Sequence, residues 1–339
     1  MVNVTMHSMK NCTGLFLIVS TLLGCQSDDA EVSDPNTNLF AQQQETIEQY
    51  LAEQNINTQQ NTEGIHYQIL TENADGTAPE PGQVVDLFYR IEQLEGGLID
   101  ERQAASGHDP VTYTFEFTDP RLFHLILPIS LDDMIGLMRT GEEYEFYLPS
   151  DAAYLDFGLS DRLPPQTIVR FRVEVAEIRA PAEQRIAEDT IIKAYLETQQ
   201  LLDADSLAAG VYYLRTQEGE GDIVSQGDRV QVRYTGQLLD GTVFDSNVAA
   251  DRDPFEIVIG GSGSIEGFAR GIEQMRLGER GTVVMPSHTA YQEGIIAIPY
   301  TFVGVLLDQR VLDPRVYGFA RTIPPFSPLR FDVEVIAVN

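Results

Sequence analysis

Within 339 residues one segment is written twice. The stretch MRTGEEYEFYLPSDAAY (138–154) lines up with MRLGERGTVVMPSHTAY (275–291) without a gap. TIEQYLAEQNI (46–56) matches IIKAYLETQQL (191–201), and VVDLFYR (84–90) matches RVQVRYT (229–235). LPPQTIVRFRVEVAEI (163–178) matches IPPFSPLRFDVEVIAV (323–338). A repeat of this length confines the chain to two similar units, each closing its own core. The length agrees, at about 150 residues per domain. A change of composition at RAPAEQR (179–185) separates the copies, so domains are expected over 43–180 and 181–339.

Each unit reads as a short helix, a first strand, a hairpin, a middle section, the motif PS-x-x-AY, a Pro-Pro turn and a closing strand. Val230, Val232 and Tyr234 alternate onto one face, as do Phe331, Val333 and Val335. Asp240-Gly241 predicts a two-residue hairpin turn, since glycine tolerates positive φ. In SIEGFARGIEQMRLGER, Ile265, Phe268, Ile272 and Met275 fall at helical spacing, which suits one helix packed on a sheet. Pro324-Pro325 marks a loop. The expected fold class is α+β, a mostly antiparallel twisted sheet wrapped on a short helix in each domain.

Lys+Arg 22 against Asp+Glu 52 leaves a net charge of −30. Such a surface repels nucleic acid, which is set aside as a partner. An acidic surface of this kind, with Lys10 and Lys193 as the two lysines, also suits a salty habitat. At the N-terminus, Lys10 precedes an apolar run (15–23) too short for a bilayer, which takes ~20 residues. The run has the length and flanks of a signal peptide. LLGC (22–25) resembles the bacterial lipobox, which makes Cys25 the lipidated first residue of the mature chain after a signal peptide over 1–24. A signal cut elsewhere, or an uncleaved anchor, is the alternative. Lipidation implies membrane attachment through Cys25, with the chain in the bacterial envelope and facing periplasm or surface. Residues 25–42, acidic and Pro-containing, are expected to form a flexible tether. Cys12 falls in the removed segment, so an exported chain keeps one cysteine and its cores stand without an internal disulfide.

Four stretches of the second copy, VRYTGQLLDGTVFDS (232–246), SIEGFARGIEQMRLGER (264–280), PSHTAY (286–291) and IPPFSPLRFDVEV (323–335), occur in one order. In that order they resemble the FKBP-type peptidyl-prolyl cis-trans isomerases, in particular their bacterial lipoprotein and macrophage-infectivity-potentiator branch. By itself the hairpin reads more simply as a core Phe244 and an exposed turn residue Asp245. With the other stretches in place, the pocket reading prevails. The resemblance implies that Tyr234, Phe244, Asp245, Tyr291 and Phe331 form the catalytic pocket. It gives Phe255 a wall, Ile265 the backbone edge that holds substrate, Phe268 the floor, and Ile323 the loop over the proline ring. Because Phe244 and Asp245 are adjacent, the strand must bulge or end there if both serve one pocket.

The sequence departs from the family pattern. The floor is Phe268 where the family usually has Trp, and the glycine expected after Tyr291 is Gln292. An apolar, aromatic insertion at about 294–320 reads as a lid, a substrate platform or a plug.

The chemistry implied is rotation of X-Pro bonds in exported proteins, which breaks no bond. It requires no nucleophile, metal or proton carrier, so no cofactor is expected. His66, His108, His124 and His288 are scattered without ligand spacing, and GGSGSIEG (260–267) lacks both the third glycine and the lysine of a phosphate loop. The partners implied are proline-containing unfolded or partly folded proteins, with macrolides of FK506 type as possible pocket ligands. The alternative function is that of a non-catalytic chaperone or scaffold lipoprotein.

In the first copy the same positions are eroded. Tyr89, Asp100 and Tyr154 persist, but Ile99 stands for the hairpin Phe, Ile91 for the glycine, and Leu131 for the floor. A core kept and a pocket lost points to binding, dimerisation or spacing.

Overall fold

The computed structural model describes residues 35–116, 128–155, 158, 162–292 and 323–339. The signal run, Cys25, His124 and the insertion at 294–320 lie outside the described residues. Helix α1 (Pro35–Gln54) takes in residues 35–42, so that part of the expected tether is helical instead. Proline suits a first helical turn, where its missing N–H is no loss. The decisive contact is tertiary. Gln43 is buried, its Oε1 accepting the Ser150 N–H at 2.7 Å and its Nε2 donating to the Gln166 carbonyl at 2.9 Å. A polar composition alone does not reveal that fastening.

The first domain is one antiparallel sheet of β1 (Gln59–Gln60), β2 (His66–Thr71), β3 (Val84–Gln93), β4 (Leu98–Arg102), β5 (Val111–Thr114), β6 (Glu143–Leu148) and β7 (Val169–Arg179). Its order is β1-β2-β6-β7-β3-β4, with β5 sharing the outer edge of β3. Helix α2 (Leu131–Ile135) packs on one face. Then Ala180 alone separates β7 from helix α3 (Pro181–Thr198).

The second domain repeats this with β8 (Asp205–Ser206), β9 (Tyr212–Gln217), β11 (Arg229–Leu238), β12 (Val243–Ser246), β13 (Phe255–Val258), β15 (Arg280–Met285) and β16 (Leu329–Val338), around helix α4 (Glu266–Ile272). The order is β8-β9-β15-β16-β11-β12, with β13 on β11, the same pairing scheme strand for strand. A separate ribbon joins β10 (Glu220–Ile223) and β14 (Arg276–Leu277).

Strand alternation explains how each sheet is covered twice. On β15, Val283 enters the core with Phe268 and Ile272 of α4, while its neighbour Val284 faces Ile192 and Leu196 of α3. Tyr147 meets Ile47 and Leu51 of α1 in the same way. The short helix lies close because two of its residues lack side chains. A Cβ on Gly267 would stand 2.7 Å from the Met285 sulfur, and one on Gly271 would strike Val283.

The hairpin turn is one residue longer than expected. The Leu238 N–H donates to the Thr242 carbonyl at 2.9 Å, enclosing residues 239–241, with Gly241 at φ +92°. Three-residue loops of this kind place glycine in the left-handed region at their last position. Asp240 still helps, its carboxylate accepting the Thr242 N–H at 2.8 Å.

Candidate active site

The hairpin β11–β12 opens the site. Gly236 pairs with Asp245 and Gln237 with Val243, so Phe244 is the unpaired residue of a bulge. The bulge lets consecutive residues serve one side of the sheet, as the adjacency of Phe244 and Asp245 demanded. Gly236 makes room for it. A Cβ there would come within 2.7 Å of the Phe244 ring and 2.8 Å of the Phe331 ring.

The rings form a continuous cage. Tyr234 lies 5.5 Å from Phe268, 5.9 Å from Phe331 and 6.0 Å from Phe255, centroid to centroid. Phe268 and Phe331 are 5.0 Å apart. Phe244 stands edge-on to both Phe331, at 5.6 Å, and Tyr291, at 6.5 Å. Such tilted and T-shaped pairs suit the aromatic quadrupole. Phe268, Phe331 and Ile323 are buried, whereas Tyr234, Phe244, Asp245, Phe255, Ile265 and Tyr291 are half-buried around them. Ile265 is the N-cap of α4, with extended backbone (φ −68°, ψ 146°) that offers a strand-like edge. Eight of the nine positions named from the sequence thus belong to one apolar cluster, and Asp245 joins it through the Tyr234 hydroxyl.

Two polar groups point into this apolar setting. The Tyr234 hydroxyl donates to Asp245 Oδ2, and Asp245 Oδ1 accepts the Ser246 N–H at 2.9 Å. Burial, followed by the Asp245 hydrogen bond and charge, raises the Tyr234 phenol above its ordinary range. Burial, and then the Asp245 charge, pushes Tyr291 up to about 12. Both phenols therefore keep their protons through the physiological range.

Asn247 is a site residue that the sequence reading missed. It is buried, accepts the Tyr234 N–H at 2.7 Å, and donates to the Val232 and Asp253 carbonyls at 3.1 and 3.3 Å. It ties the strand end under Tyr234 to the loop leading toward Phe255. Its position just after FDS was the available signal.

The first domain keeps the frame and fills the space. Ile99 is the bulged residue there, since Ile91 pairs with Asp100 and Glu92 with Leu98. Tyr89 donates to Asp100 Oδ2 at 2.5 Å, repeating the tyrosine–aspartate pair. Yet Tyr89, Ile91, Ile99, Asp100, Leu131 and Phe171 are all buried. Ile91, fully buried, stands at the position of Gly236, pairing with Asp100 as Gly236 pairs with Asp245. Among the described residues, no three His, Cys, Asp or Glu side chains converge as a metal site would require.

The second domain's fold and cage define a class of protein with a cluster of aromatic rings set between a short helix and one face of an antiparallel sheet. The family model for FKBP-type peptidyl-prolyl cis-trans isomerase matches residues 221–336. The chain is 34% identical over 138 residues to FK506-binding protein 1 of Candida glabrata, covering 40% of this chain and 99% of that protein. It is 31% identical over 147 residues to the FKBP-type 22 kDa peptidyl-prolyl cis-trans isomerase of Escherichia coli, covering 43% of this chain and 59% of the relative. The crystal structure of the three FKBP domains of wheat FKBP73 aligns over 82% of this chain and 96% of its own, at 19% identity and a TM-score of 0.32. The chain belongs to the FKBP-type peptidyl-prolyl cis-trans isomerases, and its isomerase domain is the second.

Proposed function

We propose that the protein is a lipid-anchored prolyl isomerase of the bacterial envelope, turning X-Pro bonds in unfolded or partly folded exported proteins with its second domain. The observation that carries this reading is the contrast between the copies: one scaffold, open around Tyr234 and Asp245 in the second, filled around Tyr89 and Asp100 in the first. Envelope location and anchoring rest on the signal-like run and on Cys25.

An X-Pro bond faces a barrier of about 20 kcal/mol because rotation destroys amide resonance. A 10⁴-fold acceleration lowers it by ~5–6 kcal/mol. The ring cage supplies part of this by removing water that favours the planar, polar amide over the twisted one. The remainder comes from fixed dipoles. Asp245 is held by the Tyr234 hydroxyl and the Ser246 N–H, so its charge does not swing. Tyr291 retains an O–H to donate to the rotating carbonyl. No proton or covalent bond changes hands.

The test is a proline-isomerisation assay on the full chain. Tyr234→Ala and Asp245→Ala are each expected to lower kcat/KM by about 10- to 100-fold, and a macrolide of FK506 type is expected to compete. A wild-type chain without activity, or substitutions that change nothing, would sink the enzyme reading in favour of a non-catalytic chaperone or scaffold. For the first domain the filled pocket favours that second role directly. Anchoring is tested separately, since Cys25→Ser should abolish incorporation of labelled palmitate and release the protein from membranes.

A further inference from the structure

Behind the cage lies a carboxyl group that the proposed rotation does not use. Glu188 on α3 is 1% exposed and accepts three hydrogen bonds. The Ser287 N–H donates to its Oε2 at 2.7 Å, the Ser287 hydroxyl to its Oε1 at 2.7 Å, and Gln184 Nε2 to its Oε1 at 3.0 Å. These donors are uncharged, and burying an ionisable group among neutral partners is costly. Its geometry indicates what it holds. The Ser287 carbonyl accepts the N–H groups of Ala290 and Gln292, each at 2.8 Å. The backbone on either side of Tyr291 therefore hangs from the residue that Glu188 grips.

The path continues backward into the first domain. Gln184 Oε1 accepts from Arg179 Nε at 2.9 Å, and Arg179 Nη1 donates to Asp86 Oδ2 on β3 at 2.8 Å. Asp86, Gln184, Glu188 and Ser287 are all buried. The first copy supplies the control. Gln43 occupies the place of Glu188, and its Oε1 takes the Ser150 N–H while its amide turns to the Gln166 carbonyl. The copy with the filled pocket thus has a neutral clamp.

We propose that Glu188 is a positioning residue for Tyr291, and that the first domain sets it through Asp86, Arg179 and Gln184. The inference rests on the pocket reading above. On that view the first domain helps to shape the second domain's pocket.

The test uses the full chain. Glu188→Ala is expected to lower kcat/KM about tenfold through kcat, and Glu188→Gln to recover most of it, because an amide oxygen still accepts the Ser287 N–H. Ser287→Ala, a milder change should Glu188→Ala fail to fold, is expected to cost about threefold, and Arg179→Met about twofold. In a Tyr291→Phe background Glu188→Ala should add little, because the group it positions is already gone. Additive losses overturn the proposal, and an Arg179→Met chain equal to wild type overturns the first domain's part in it. Tyrosine-selective ¹³C spectra give a readout independent of activity. The Tyr291 ring signal, assigned by its loss in Tyr291→Phe, should shift in Glu188→Ala and return in Glu188→Gln. An unmoved signal overturns the proposal even if activity falls. A signal that responds in a chain without isomerase activity supports the positioning and defeats only the enzyme reading.

Discussion

A methyl group on Gly236 would collide with the rings of both Phe244 and Phe331, so the width of the cage depends on a side chain that is absent. Gly236→Ala is expected to destabilise the fold by about 1–3 kcal/mol, the usual cost of overpacking, and to lower kcat/KM. Urea denaturation beside the isomerisation assay checks both, and a variant as stable and active as wild type would contradict the crowding. Tyr291 yields a second prediction. Its phenol is raised from about 10 in the unfolded chain to about 12. Its contribution is therefore fully present below pH ~10 and lost as pH climbs through about 12, since the unfolded state releases the proton first. Urea midpoints measured from pH 9 to 12 should fall more steeply for wild type than for Tyr291→Phe. Tyr234, Phe244 and Asp245 were legible because a family spacing carried them. Asn247 and Glu188 were not, because an amide or carboxyl acquires its role from partners that folding brings from elsewhere.

At the scale of elements, a bulge or a strand end at Phe244 was readable before any coordinates if both neighbours serve one pocket, and the structure has the bulge. Two neighbours cannot both face one pocket from a regular strand. The turn beyond it was not, because Asp-Gly serves two-residue and three-residue loops alike. The start of α1 was hidden for another reason, as its uncharged, largely polar first turns are fastened by Gln43 to a serine over a hundred positions away. Helix α4 carries Ile265 at its cap and Phe268 on its buried face, so its seating sets the floor of the pocket. Gly271→Ala is expected to push it off β15 at a cost of about 1–3 kcal/mol. Calorimetry should show a lower Tm, and the KM for a proline peptide should rise as the floor tilts. An unchanged Tm would mean that the helix has slack the structure does not show.

Across the whole molecule, the repeat was written plainly in the sequence, and the structure carries it on to the pairing order of the two sheets. Which copy stays open was only half written, since the exchange of Gly and Phe for two isoleucines shows a loss but not what fills the space. The net charge of −30 also acts at this scale. Like charges in such excess repel one another in the compact state, and salt screens them over about 10 Å at 0.1 M. Raising salt from 50 to 500 mM is expected to lift Tm by a few degrees, and a flat or falling Tm would show that specific ion pairs outweigh the repulsion.

The paired positions 91/99 and 236/244 also bear on how two such domains drift apart over time. A phenylalanine returned to position 99 finds its space taken while Ile91 remains, and a glycine at 91 leaves a void while Ile99 remains. Each single exchange is expected to be less stable than either natural pair, and the two together to restore a fit. A domain that has closed its pocket in this way has crossed a ridge. Point mutation alone does not readily carry it back, and from there the two halves of the chain diverge by separate routes.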